Sequence, residues 1–126
     1  MAKKKATHQP FEGNSPSGPF TKITTEMMTS LAWKELSLRQ RGLYLIFKSK
    51  YRQKMSSGRL IQSNKDDISL PRAEWLQYYG DYRTFKEDIN MLLSLGFITL
   101  VQSGKATRTC NIYGFDDKWK GWKPAS

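Results

Sequence analysis

The stretch DYRTFKEDINMLLSLGFITLVQSGKATRTCNIYGF, residues 81–115, decides how this chain is read. Phe85, Ile89, Leu92 and Leu93 recur at i, i+4, i+7 and i+8, the spacing of one buried helical face. Arg83, Lys86, Glu87, Asn90 and Ser94 fall on the opposite side. Asp81 is placed to cap the helix start, and Gly96 to end it, because only glycine enters the left-handed conformation cheaply. Phe97–Gln102 has strand composition, Ser103–Ala106 is a turn, and Thr107–Phe115 is expected to run back as the partner strand. The hairpin is tipped by Lys105 and Arg108.

Upstream, Ser37 can cap a second helix, expected from Leu38 to about Lys54, whose centre Leu43–Phe47 is apolar on almost every side. Thr24 or Thr25 can cap an earlier helix through about Trp33, with Leu31, Trp33 and Leu36 turned to a core, after a short strand over Phe20–Ile23. Met55–Lys65 is expected to be a polar connection. Asp67–Leu70 is expected to be a short strand, and Pro71 to open a helix through Tyr79 with Trp75, Leu76 and Tyr79 inward. The resulting order is helix, helix, strand, helix, helix, strand, strand. That is an α+β, mainly helical fold: a winged helix-turn-helix with an additional amino-terminal helix and a small antiparallel sheet. Residues 1–19 are a basic arm without hydrophobic period, 20–118 the domain, and 119–126 a tail containing Trp119, Trp122 and lysines. Short helix, turn and long helix occur twice, over Thr25–Lys54 and Pro71–Leu95, a faint internal echo.

Charge points to the partner. The 126 residues carry a formal net charge of +10 and a pI near 9.8. From Leu36 to Lys65 there are Arg39, Arg41, Lys48, Lys50, Arg52, Lys54, Arg59 and Lys65 and no acid. A helix held by ion pairs would interleave signs, so phosphates are the natural compensating groups. No apolar run approaches the ~20 residues of a membrane span, and no apolar segment follows Lys3–Lys5 to make a secretory signal. A single cysteine, Cys110, excludes an internal disulfide and suits a cytoplasmic protein; it is expected to be a small buried hydrophobe of the hairpin.

Catalytic chemistry finds little purchase. His8, the only histidine, lies in the arm, so neither a triad nor a zinc site has its ligands, and the histidine cluster of DNA-nicking relaxases is missing. Asp66-Asp67 and Asp116-Asp117 read as turns or caps, and there is no glycine-rich phosphate loop. A non-enzymatic binding module without cofactor is expected.

On double-stranded DNA, Arg83 can fork onto guanine and Asn90 pair with adenine, while Glu87 can accept from cytosine. Thr84 with the helix-start amides, and Lys86, suit phosphate, and Tyr82 can pack on sugar. Lys105 and Arg108 would follow the minor groove or its phosphates, and Arg39 and Arg41 would add backbone contacts. The tryptophans are expected in the core rather than as stacking platforms for single strands, with the tail of Trp119 and Trp122 either sealing the core or making a dimer contact.

The segments "AWKELSLRQRGLYLIF", "ISLPRAEW", "YRTFKEDINMLLSLGFITLV" and "NIYGFDDKW" resemble small winged-helix proteins of phages, plasmids and conjugative elements of Gram-positive bacteria. The likeness spans about Phe20–Trp119. That group includes replication-initiator amino-terminal domains and TraN-type accessory proteins that bind double-stranded DNA near a transfer origin. The resemblance implies that Arg83, Thr84, Lys86, Glu87 and Asn90 occupy recognition-helix positions and Lys105 and Arg108 the wing. It also implies relaxosome or replication proteins as partners. Because no replication domain follows the hairpin, a transfer or maintenance accessory is expected, with a replication or transcription regulator, or a protein-docking winged helix, as rivals. The oligomeric state is left open.

Overall fold

The computed structural model describes residues 21–105 and 107–125. The arm expected over residues 1–19 and the first residue of the expected Phe20–Ile23 strand lie outside them. Among the described residues five helices and two hairpins follow one another: α1 (Thr25–Met28), α2 (Leu31–Glu35), α3 (Leu38–Ser49), β1 (Gln53–Ser56), β2 (Arg59–Ser63), α4 (Arg72–Trp75), α5 (Tyr82–Ser94), β3 (Ile98–Gln102) and β4 (Ile112–Phe115). A 3₁₀ turn at Lys118–Gly121 closes the chain. The fold is mixed α+β, mainly helical, with two separate two-stranded antiparallel sheets.

Local chemistry sets these boundaries and corrects several expectations. Residues 21–24 form no strand. The first expected helix is two: the Thr29 hydroxyl donates to the Thr25 and Glu26 carbonyls, and that of Ser30 to Met27, ending α1. The same Ser30 oxygen accepts from the Trp33 amide at 3.1 Å and starts α2. Leu31, expected inward, is exposed because the new start turns it outward. Ser37 and Gln40 form a reciprocal capping box for α3.

That helix stops at Ser49 rather than Lys54. The Asn64 side chain takes the Lys50 carbonyl at 2.8 Å and the Arg52 amide at 2.7 Å, turning the chain into β1. The expected connection over 55–65 is therefore largely a hairpin, turned at Ser57 (φ +54°) and Gly58 (φ +78°). Nor is α3 apolar all round in its packing: Leu43, Tyr44 and Phe47 are buried while Leu45 is exposed. The Asp67–Leu70 strand shrinks to a single bridge, Ile68 with Tyr113, which exchanges two backbone hydrogen bonds with β4. Pro71 precedes α4, which ends at Trp75, and Leu76 faces solvent.

One aromatic core joins the elements. Phe97 sits at its centre, fully buried, stacked on Trp119 and edge-on to Trp33. Residues 118–121 are thus packed into the domain through Trp119 rather than trailing from it. A second cluster stacks Trp75 on Phe85 at 4.9 Å, with Tyr79 against the same ring at 5.4 Å, fixing α4 to α5. Three of the four tryptophans, Trp33, Trp75 and Trp119, are buried as expected.

The exit from α5 depends on glycine. Gly96 has φ +85°, its amide donates to Leu93 and that of Phe97 to Leu92, which satisfies the last helical carbonyls. A Cβ there would lie 2.6 Å from the Lys118 Cβ. Gly96→Ala should therefore destabilise the fold by more than about 1 kcal/mol, whereas Gly42→Ala, on α3 with open space around it, should stabilise it by up to about 1 kcal/mol. Urea denaturation of the two variants checks both signs.

Candidate nucleic-acid interface

Helix α5 begins where the Asp81 carboxylate accepts from the Thr84 amide at 2.7 Å. That bond holds the Asp81 carboxyl below its ordinary range. Its apolar side, Phe85, Ile89 and Leu92, is buried, and Leu93 is half-buried against the same core. Its outer side presents Tyr82, Arg83, Lys86, Glu87 and Asn90, all exposed, with Thr84 half-buried between. The Arg83 side chain is 89% exposed, and its one salt-bridge partner among the described residues is Glu87 at 3.7 Å, one turn on. An exposed i, i+4 pair is worth about 0.3–0.5 kcal/mol, too little to hold the guanidinium back from a ligand. Tyr82 leans on Trp75 and Phe85 with its ring more than half exposed, and Lys86 Nζ lies 6.0 Å over it.

The loop between β3 and β4 is longer than the sequence suggests. The return strand begins at Ile112, not Thr107, because Arg108 takes a left-handed φ of +57° and the Thr109 amide closes back on the Gly104 carbonyl at 3.0 Å. Gly104 is buried there, and a Cβ on it would meet the Thr109 carbonyl oxygen at 2.0 Å. The Gly104 amide also donates to the Asn111 side chain at 2.9 Å. Lys105 and Arg108 project from this tied loop, both exposed. Cys110 is exposed, not buried: the irregular backbone at 107–111 has no inner face for it. Between this loop, α4 and the start of α5 runs an open groove of about 660 Å³, floored by Trp75, Tyr82 and Phe85.

Two expected contact residues are already engaged. Arg39 grips the buried Asp88 carboxylate with two bonds, Nε to Oδ2 at 2.6 Å and Nη2 to Oδ1 at 2.9 Å. Arg41 donates to the Trp33 carbonyl at 3.1 Å and lies over the Trp33 ring. Neither belongs with the α5 face as a free cation. Of the acid-free run, Lys50 is also paired, with Glu74 Oε1 at 2.5 Å and the Ser69 carbonyl at 2.6 Å. The chain compensates part of this charge by contacts far along the sequence.

The sequence reading missed Asp88. It lies three residues after Phe85 and four before Leu92, on the buried side, and its side chain is wholly buried. Besides Arg39 it accepts from Tyr79 Oη at 2.6 Å and Gln40 Nε2 at 3.1 Å. Burial pushes its carboxyl up, but the donated bonds from Arg39, Tyr79 and Gln40 outweigh this and hold it below the ordinary carboxylate range. Burial and the bond to Asp88 push the Tyr79 hydroxyl well up. The bond to Asp88 raises the Arg39 guanidinium further.

No group of three or more metal-ligating side chains occurs among the described residues, and no helix among them is long and apolar enough to cross a membrane. No protein-family model, curated protein or solved structure matches the chain.

Asp88→Asn should cost about 2 kcal/mol of stability, the range for a charged hydrogen bond. The 3–5 kcal/mol of a fully buried pair is too much, since Arg39 is 55% exposed and rehydrates. Because the folded carboxyl titrates below the unfolded one, its contribution is complete above about pH 4 and drains away as pH falls further. Urea midpoints between pH 7 and pH 3 should fall less in the variant than in the wild type.

Proposed function

We propose that this chain binds double-stranded DNA as a winged helix-turn-helix protein. In this reading α4 and α5 are the two helices, α5 lies in the major groove, and the loop over 103–111 is the wing. The observation that carries it is the outer face of α5. Arg83, Lys86 and Asn90 stand in solvent on a helix fixed from behind, and Lys105 and Arg108 project from the neighbouring hairpin. Arg83 and Asn90 are the side chains that fork onto guanine and adenine edges. Lys86, Lys105, Arg108 and the Thr84 turn supply phosphate contacts, and Tyr82 an aromatic edge for the sugar. The bridge from Ile68 to β4 braces the hairpin that would carry the wing. By its resemblance to accessory proteins of conjugative elements, the binding would act in plasmid transfer, near the transfer origin and beside relaxosome proteins.

Replacing Arg83 and Asn90 together by alanine should abolish preference among duplex sequences while leaving weak, salt-sensitive binding. A preference unchanged from wild type in a competition assay would remove α5 as the reading element. Lys105→Gln with Arg108→Gln should weaken all duplexes alike and flatten the slope of log K against log salt by about 1.8, two phosphates' worth. Protection of a promoter rather than a transfer origin in a footprint would make the protein a regulator.

A further inference from the structure

Among the described residues the β1–β2 ribbon buries neither face. Every residue of both strands is exposed, and among the described residues its root is held by Tyr51 donating to Gln53, by Asn64 on Lys50 and Arg52, and by the turn into Ile68. A two-stranded ribbon is marginal in water by itself, so one that stands clear of the core calls for a partner.

Its register sorts it into two unlike faces. Lys54 pairs with Gln62 and Ser56 with Arg59, so Lys54 and Arg59 share one face. Met55 pairs with Leu60 on the other, and the register shift between Lys54 and Met55 leaves Ile61 as the extra residue beside them. Met55, Leu60 and Ile61 are each about half exposed, at 49%, 55% and 56%. Of the ribbon's neighbouring cations, Arg52 is bound to the Ser49 and Tyr51 carbonyls and Lys65 lies 4.0 Å from Asp66. Lys54 and Arg59 make no ion pair or side-chain hydrogen bond among the described residues.

We propose that this ribbon is a second duplex contact. Met55, Leu60 and Ile61 rest against sugar edges and the floor of a minor groove, and the long side chains of Lys54 on β1 and Arg59 on β2 reach from the outward face over the ribbon's two edges to phosphates on either wall. The inference rests on the DNA-binding reading above and extends it from one contact region to two. Charge complementarity selects the occupant. The ribbon's strands and turn hold no acid, and its two untied cations sit one on each strand, whereas a duplex offers phosphates on both walls of a groove. The apolar face suits the same site, since minor-groove proteins lay apolar side chains against or between base steps beside their phosphate contacts. The ribbon leaves the domain beside the Phe115 end of β4, where the Phe115 amide meets the Lys65 carbonyl, and the 103–111 loop lies at the Ile112 end. The two contacts therefore attach to opposite ends of that strand, which lengthens the footprint instead of duplicating it.

The test uses the full chain and a 30-base-pair duplex of random sequence, with affinity measured by fluorescence anisotropy across a salt series. Three proteins are compared: wild type, Lys54→Gln with Arg59→Gln, and Met55→Ser with Leu60→Ser and Ile61→Ser. Because no residue of the ribbon is buried, both variants should keep the wild-type circular dichroism spectrum and melting temperature. The charge variant should bind at least tenfold more weakly at 0.15 M salt, with a slope flatter by about 1.8. The apolar variant should lose affinity with its slope unchanged. An unaltered slope in the charge variant, while the Lys105 and Arg108 variant still flattens its own, overturns the ribbon proposal and leaves the DNA-binding reading standing. An apolar variant that binds as tightly as wild type but falls from dimer to monomer in sedimentation overturns it too, making the ribbon a contact between copies. Wild type that binds no duplex at any salt overturns the reading itself.

Discussion

The carboxylate of Asp88 is where three separate parts of the chain are tied together. Arg39 and Gln40 reach it from the first turn of α3, Tyr79 from the link between α4 and α5, and the aspartate itself projects from the middle of α5. A buried carboxylate left without donors would be costly in free energy, so each of these bonds is needed to keep the group inside. The consequence is directional. Because the acid holds the inner side of α5 against α3 and Tyr79, the opposite side faces water, and Arg83, Lys86 and Asn90 are carried on a rigid support. Aromatic packing adds to this: Trp75 stacks on Phe85, so α4 cannot swing away from α5 without uncovering both rings.

The distribution of positive charge follows the same logic. Where cations serve the fold, they are tied down: Arg39 on Asp88, Lys50 on Glu74, Arg41 on the Trp33 carbonyl and ring. Others stand in solvent: those of the α5 face with its neighbouring loop and of the β1–β2 ribbon, and, scattered elsewhere, Lys22, Lys34, Arg72, Lys118, Lys120 and Lys123. With a formal charge of +10 on 126 residues, this partition matters more than the total. A polyanion would meet the untied groups without disturbing the tied ones.

Much of this was legible in the sequence, and the failures have physical causes. The period of Phe85, Ile89 and Leu92 marks α5 because its buried face is narrow and apolar, and Asp81 and Gly96 mark its ends because capping is local chemistry. Ser37 and Gln40 announce α3 for the same reason. The ribbon escaped notice because a strand buried on neither face need not alternate apolar with polar residues, and 53–63 does not. Asp88 escaped because it stands within Lys86-Glu-Asp88, where charge suggests solvent and only its spacing from Phe85 and Leu92 gives it away. Arg39 read as a free cation because its partner lies 49 residues further along the chain. Of the candidate site, the α5 residues sit together as the spacing demands, whereas the real shape of the 103–111 loop depends on Gly104, Thr109 and Asn111, whose contacts have no periodic signature.

Backbone amide NMR during titration with a duplex measures the central claim most directly. The account predicts that the largest shifts fall on Tyr82, Arg83, Lys86, Glu87 and Asn90 and on the loop around Lys105 and Arg108, while Arg39, Gln40 and Tyr79, which hold Asp88, keep their positions. Shifts confined to α1 and α2, with the outer side of α5 unchanged at saturation, would contradict it.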